Sequence, residues 1–166
     1  MLHLAALRLF GTLPRWAKSR AIRLLYPTYT AGVVVAVTNP VGQVLLVTHS
    51  YSPGWGLPGG LMNRSEDPAT TAQRELFEEL GLEIELTGLG IAVQTPGRYH
   101  FNFLFTGEID AASAAAVQSH SPEITGAKFY DQDQLPELSE FTDLFFAELD
   151  VLPADGNSRP TADGPR

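Results

Sequence analysis

Hydrophobic and polar positions change period repeatedly along this chain, and each change marks an element. Residues 1–26, MLHLAALRLFGTLPRWAKSRAIRLLY, mix Leu with Arg and Lys. Two short helices are expected there, about Leu2–Phe10 and Pro14–Leu25, broken near Gly11 to Pro14. In the second, Trp16, Ile22 and Leu25 are expected to share a face. From Thr28 the run TYTAGVVVAVT is β-branched and reads as a buried strand, Thr28–Thr38. Asn39-Pro40-Val41-Gly42 is a turn, and QVLLVTH, Gln43–His49, is its antiparallel hairpin partner. SYSPGWGLPGG reads as a Gly/Pro-rich loop in which Trp55 and Pro58 pack.

A helix is predicted from Asp67 to Leu80, with Pro68 in its first turn and Gly81 as its stop. Beyond it, LEIELTGLGIAVQT predicts a strand with a glycine kink. RYHFNFLFTGEI predicts another, with Tyr99, Phe101, Phe103 and Phe105 on one side and His100, Asn102 and Leu104 on the other. DAASAAAVQSHS is a polar excursion, loop or short helix, and EITGAKFYDQDQL is a further strand and turn. A helix from about Ser139 to Leu149 closes the domain, and ADGNSRPTADGPR lacks apolar anchors, as a disordered tail does. The order predicts an α+β fold with a mixed sheet, organised as residues 1–26 (basic amphipathic helical extension), 27–152 (main domain) and 153–166 (tail).

The chemistry concentrates in residues 59–82, GGLMNRSEDPATTAQRELFEELGL. At 100° per residue, Glu75, Glu78 and Glu79 fall within an arc of about 100° on the predicted helix. Ala69, Ala72, Leu76 and Leu80 occupy the neighbouring, inward arc. Carboxylates so placed repel one another, and a hard divalent cation with oxygen ligands is the natural partner; a merely solvated acidic face is the plainer reading. Gly59 and Gly60 let backbone approach a ligand closely, and Arg74 is placed to hold Glu66 across the loop.

The pattern G-x5-E-x7-R-E-U-x-E-E-x-G-U, with U aliphatic, is met at Gly60, Glu66, Arg74, Glu75, Leu76, Glu78, Glu79, Gly81 and Leu82. In this the chain resembles the Nudix hydrolases over roughly Tyr29 to Leu149. The resemblance implies an α/β/α sandwich and metal-dependent hydrolysis of a nucleoside diphosphate linked to another moiety, such as ADP-ribose or a (d)NTP. It assigns Glu75, Glu78 and Glu79 to the catalytic and metal cluster, with Mg²⁺ (or Mn²⁺) as cofactor. Gly59 adds its carbonyl, and Gly60, Glu66 and Arg74 support the box. A further carboxylate from outside the box is expected to be Glu123, with Glu108 the weaker candidate. His100 and His120 are secondary candidates for phosphate binding or base work. Of the family's substrate markers, Tyr99 matches a dinucleoside polyphosphate spacing and Pro96 falls slightly short of the ADP-ribose position, so neither decides. Tyr99, Phe101 and Tyr51 are candidates for stacking on a base. The competing reading is a non-catalytic Nudix-fold nucleotide sensor or interaction domain.

Charge then qualifies this picture. The net charge is −8, but residues 1–65 contain six Lys or Arg and no Asp or Glu, while residues 66–166 hold all 19 acids against five basic residues. An acidic body does not suit a nucleic-acid binder, and none is expected. The absence of cysteine excludes disulfides and thiolate sites, and it makes the isoprenoid-isomerase branch of the fold, whose chemistry resembles a Cys-dependent proton transfer, a poor reading. No apolar run approaches the roughly 18 residues of a spanning helix. A cytoplasmic location is expected. Residues 1–26 leave three readings open: a helix packed on the domain or in a homodimer, a membrane-surface helix, and an organelle-targeting peptide.

Overall fold

The computed structural model describes residues 10–149. Helix α1 spans Arg15–Leu25 and buries none of its residues. Strands β1 (Thr30–Thr38), β2 (Val44–His49), β3 (Ser52–Gly56) and β4 (Gly59–Leu61) lead to helix α2, Pro68–Leu80. Then come β5 (Leu86–Gln94), β6 (His100–Glu108), α3 (Ala111–Ala116), β7 (Ile124–Tyr130) and α4 (Thr142–Leu149). The predicted tail and the helix expected at Leu2–Phe10 lie almost wholly outside the described residues.

The central strands are buried on both faces, which is why they read as β-branched runs. On β1, Val33, Val35 and Val37 join one apolar cluster with Leu45 and Val47 of β2 and Ala72, Leu76 and Leu80 of α2. Ala36, Val44 and Leu46 point the other way, to Leu104, Phe145 and Phe146. Helices thus cover both faces, as an α/β/α sandwich requires. Each fully buried Val or Leu contributes roughly 1.5–3 kcal/mol. β1 pairs β6 in parallel from Thr30↔His100 to Thr38↔Glu108, while β5 pairs β6 antiparallel with a register shift between Thr87 and Ile91. The shift spans the expected glycine kink.

The predicted hairpin is only partly paired. β1 and β2 meet at Thr38↔Val44; beyond that point β3 takes this edge of β2, while β7 pairs along its other edge from Val44 to His49. β4 takes the vacated edge of β1, with Val34 opposite Gly59 and Gly32 opposite Leu61. The stretch read as loop therefore contains two short strands. Gly and Pro disfavour strands locally, and long-range pairing overrides them here. The closing helix starts three residues later than expected. Ser139 gives its N–H to the Trp55 carbonyl (2.8 Å), and Phe141 is held at φ 69°, so helical backbone begins only at Thr142. Trp55 packs edge-on against Tyr130 at 5.1 Å, and the Pro58 carbonyl accepts the Val35 N–H; both are packing residues, as expected. In α1, Trp16 lies about 180° from Leu25, so they do not share a face as expected.

Candidate active site

Helix α2 is closed at both ends by its own sequence. Asp67 accepts the Thr70 N–H at 3.0 Å, Pro68 opens the first turn, and Gly81 ends the helix at φ 67° while Leu82 donates to the Leu76 carbonyl. Thr71, Ala72, Leu76 and Leu80 are buried, which leaves Glu75, Glu78 and Glu79 toward β4.

Glu79 is 6% exposed, and its Oε2 accepts the Gly59 N–H at 3.2 Å. Gly59 itself has φ 151°, and a Cβ there would run into the Val33 carbonyl. A Cβ on Gly60 would occupy the place of the Glu75 carboxylate. The glycine pair therefore brings strand backbone against the helix carboxylates with no side chain between. On the other side of Glu79, His49 Nε2 lies 3.6 Å from Oε1, and its ring is 5.2 Å from that of Tyr51.

Arg74 is the cationic hub. Its Nε and Nη2 grip the two Glu66 oxygens at 3.0 Å each, its Nη1 donates to both Glu75 and Glu78 at 2.9 Å, and Nη2 also reaches the Leu61 carbonyl. Arg74 and the Asn63 N–H hold the Glu66 carboxyl down to about 2. Burial pushes Glu75 up, the Glu79 and Glu78 charges push the same way, and Arg74 opposes them. The Tyr51 phenol is raised by partial burial and then by Glu123, Glu79 and Glu75.

These groups surround one cavity of about 350 Å³, lined by Glu75, Glu78, Glu79, Glu123, Arg74 and Tyr51 together with the backbone of Gly59 to Leu61. Glu123 arrives just before β7, where its carbonyl accepts the Ser50 N–H at 2.8 Å. Among the described residues no three Asp, Glu or His side chains converge on a single metal position. Glu75 and Glu78 face Arg74, and Glu79 faces Gly59. The donor set nonetheless fits a hard divalent cation, being all oxygen and mutually repulsive. A second cavity, of about 230 Å³, shares Tyr51, Gly59, Gly60 and Leu61 with the first and runs on to His49, His100 and Phe145.

Other candidates lie elsewhere. Glu108 ends β6 opposite Thr38, six residues and roughly 20 Å along the strand from Asn102, which lines the second cavity. His100 is bonded to Thr30 (2.7 Å) and Asn102 (3.2 Å) and lines the second cavity. The His120 ring packs over Gly81 at the end of α2. Tyr99 is edge-on to Tyr29 at 5.4 Å, beside Arg98 in a third pocket, and Phe101 packs on Tyr29. Sequence reasoning passed over His49. Its signal was parity: it shares a strand face with Leu45 and Val47, the face that packs under α2.

A family model described as the NUDIX domain matches residues 28–149. A Bacillus subtilis protein provisionally named an 8-oxo-dGTP diphosphatase is 34% identical over 108 residues, spanning 65% of this chain and 70% of its own. A second from the same organism, provisionally named an ADP-ribose pyrophosphatase, is 32% identical over 121 residues, 69% of this chain and 56% of that protein. The crystal structure of a MutT NUDIX hydrolase from Burkholderia pseudomallei matches in fold, with a TM-score of 0.64 and 22% identity over 74% of this chain and 99% of that one. A UDP-X diphosphatase structure has a TM-score of 0.57 at 21% identity, over 84% and 69%. With the box residues gathered between α2 and β4 and the family model spanning most of the chain, this protein belongs to the Nudix family of pyrophosphohydrolases.

Proposed function

We propose that this chain hydrolyses the diphosphate bond of a nucleoside diphosphate linked to another moiety, using Mg²⁺ or Mn²⁺. The observation that carries this reading is the gathering of Glu75, Glu78, Glu79 and Glu123, from two separate parts of the chain, around one cavity beside a glycine strand. Glu75, Glu78, Glu79, Glu123 and the Gly59 carbonyl would hold the cation. A divalent ion there supplies charge stabilisation at phosphoryl oxygens and lowers the pKa of bound water. The chain's own residues do the rest. Gly59 and Gly60 let the β4 backbone lie directly against the helix carboxylates, and Arg74 fixes the box loop to the helix through Glu66. Glu75, whose carboxyl is raised, is suited to accept the attacking water's proton.

The second cavity, with its Leu57 and Phe145 walls and its polar His49 and Asn102, would take the remainder of the substrate. The two Bacillus subtilis names point to oxidised (d)NTPs and nucleotide sugars as the classes to try first. Residues 27–152 form the catalytic unit of a cytoplasmic enzyme, and residues 1–26 supply a contact with a membrane surface or a second subunit. Among the described residues no helix is long and apolar enough to cross a membrane.

The test is product release from a panel of (d)NTPs, oxidised (d)NTPs and nucleoside diphosphate sugars, with and without Mg²⁺, beside Glu79→Gln. Metal-dependent turnover that the substitution lowers by on the order of 10²-fold or more is the expected result. No turnover on any member with either metal would overturn the enzymatic reading and leave nucleotide sensing.

A further inference from the structure

We infer that α1 docks the enzyme on an anionic lipid surface, a partner choice independent of which nucleotide is hydrolysed. The helix lies within the acid-free residues 1–65, carries four of their six cations and has no buried residue. Leu24 is 81% exposed and Leu25 75%, an apolar load that a helix fully in water has no reason to carry. At 100° per residue, Leu24, Ala17, Ala21 and Leu25 form an arc of about 100°, bordered by Arg20 on one side and Lys18 on the other. Arg15 and Arg23 lie on the opposite side and are exposed. Exposed aromatics continue the surface past the end of the helix: Tyr26, then Tyr29 packed edge-on with Tyr99. Aromatic rings with a polar tip favour the water–lipid boundary, and basic side chains flanking an apolar arc reach anionic headgroups while the arc enters the acyl layer.

Charge separates lipid from the other occupants. Packing α1 on the α1 of a second copy would bring four cations from each together with no acid on either helix. A nucleic acid would satisfy the cations and leave Leu24 and Leu25 in water. The acidic remainder of the chain does not cancel the helix at the membrane. α1 is about 16 Å long, against a Debye length of about 8 Å at physiological salt.

The experiment is co-sedimentation of the full chain with phosphatidylcholine vesicles and with vesicles containing phosphatidylserine, with solution mass measured by light scattering. Binding at least tenfold stronger to the anionic vesicles, and weakened by salt, is expected. Each basic residue near such a surface is worth about fivefold, so Lys18→Ala with Arg20→Ala, the two cations that border the arc, should lower binding about 25-fold. Leu24→Ser with Leu25→Ser should abolish it, with hydrolysis unchanged in both variants. Equal binding to both vesicle types, or no binding of the unaltered chain, would overturn the inference. So would a dimer that the Leu24→Ser, Leu25→Ser variant dissociates, since it would assign the face to a second copy.

Discussion

Arg74 grips Glu66 with two parallel bonds of 3.0 Å, Nε to Oε1 and Nη2 to Oε2, across eight residues of chain. This fork ties the box loop to α2, and it sets a pH dependence. Arg74 holds the Glu66 carboxyl down to about 2 from an ordinary 4.5. As pH falls the unfolded chain therefore takes up its proton first. The stabilisation is complete above the ordinary value and is lost as pH falls through the lowered one. Thermal unfolding of the native chain and of Glu66→Gln should show the widest gap in Tm near neutrality, closing as pH approaches about 2. A gap that stays constant with pH would mean that the fork contributes nothing through charge.

Gly59 and Gly60 predict two different failures. Gly59→Ala meets the Val33 carbonyl from a φ of 151°, so it should cost roughly 1–3 kcal/mol of stability as well as activity. Gly60→Ala meets only the Glu75 carboxylate, the end of a flexible side chain. It should lower kcat by at least tenfold with little change in Tm. Paired calorimetry and kinetics on the two variants separate these outcomes.

His49 predicts a milder effect. Glu79 is buried with one backbone donor and the His49 ring at 3.6 Å. Groups that orient a ligand from behind are typically worth about 10–100-fold in metal affinity or activity. His49→Ala should raise the metal concentration needed for half-maximal activity by about that factor, and His49→Gln should recover part of the loss. Titration of activity with Mg²⁺ reads both.

Metal binding should also be visible without turnover. An ion held by the folded chain alone adds about 2.7 kcal/mol of stability at a hundred times its Kd. Tm should therefore rise as Mg²⁺ or Mn²⁺ is added. Glu78→Gln combined with Glu79→Gln should flatten that rise, and differential scanning calorimetry checks it.

The amino-acid sequence by itself determined the box helix, its caps and its carboxylates. Those depend on contacts only a few residues apart: Asp67 with Thr70, Gly81 ending the helix, and Glu75, Glu78 and Glu79 on one face. It also set the two-faced burial of β1 and β2 and the kinked β5, because alternation and β-branching are local. The tertiary structure alone decided what meets the box. Glu123 reaches the cavity, and His49 comes up behind Glu79, because β2 pairs with β7 along the edge that β1 does not use. β4 becomes a strand only because β1 has a free edge there, and no local preference of Gly-Gly-Leu favours it. Such pairings join positions tens of residues apart, and their energy comes from hydrogen bonds and burial that a short window of sequence does not contain.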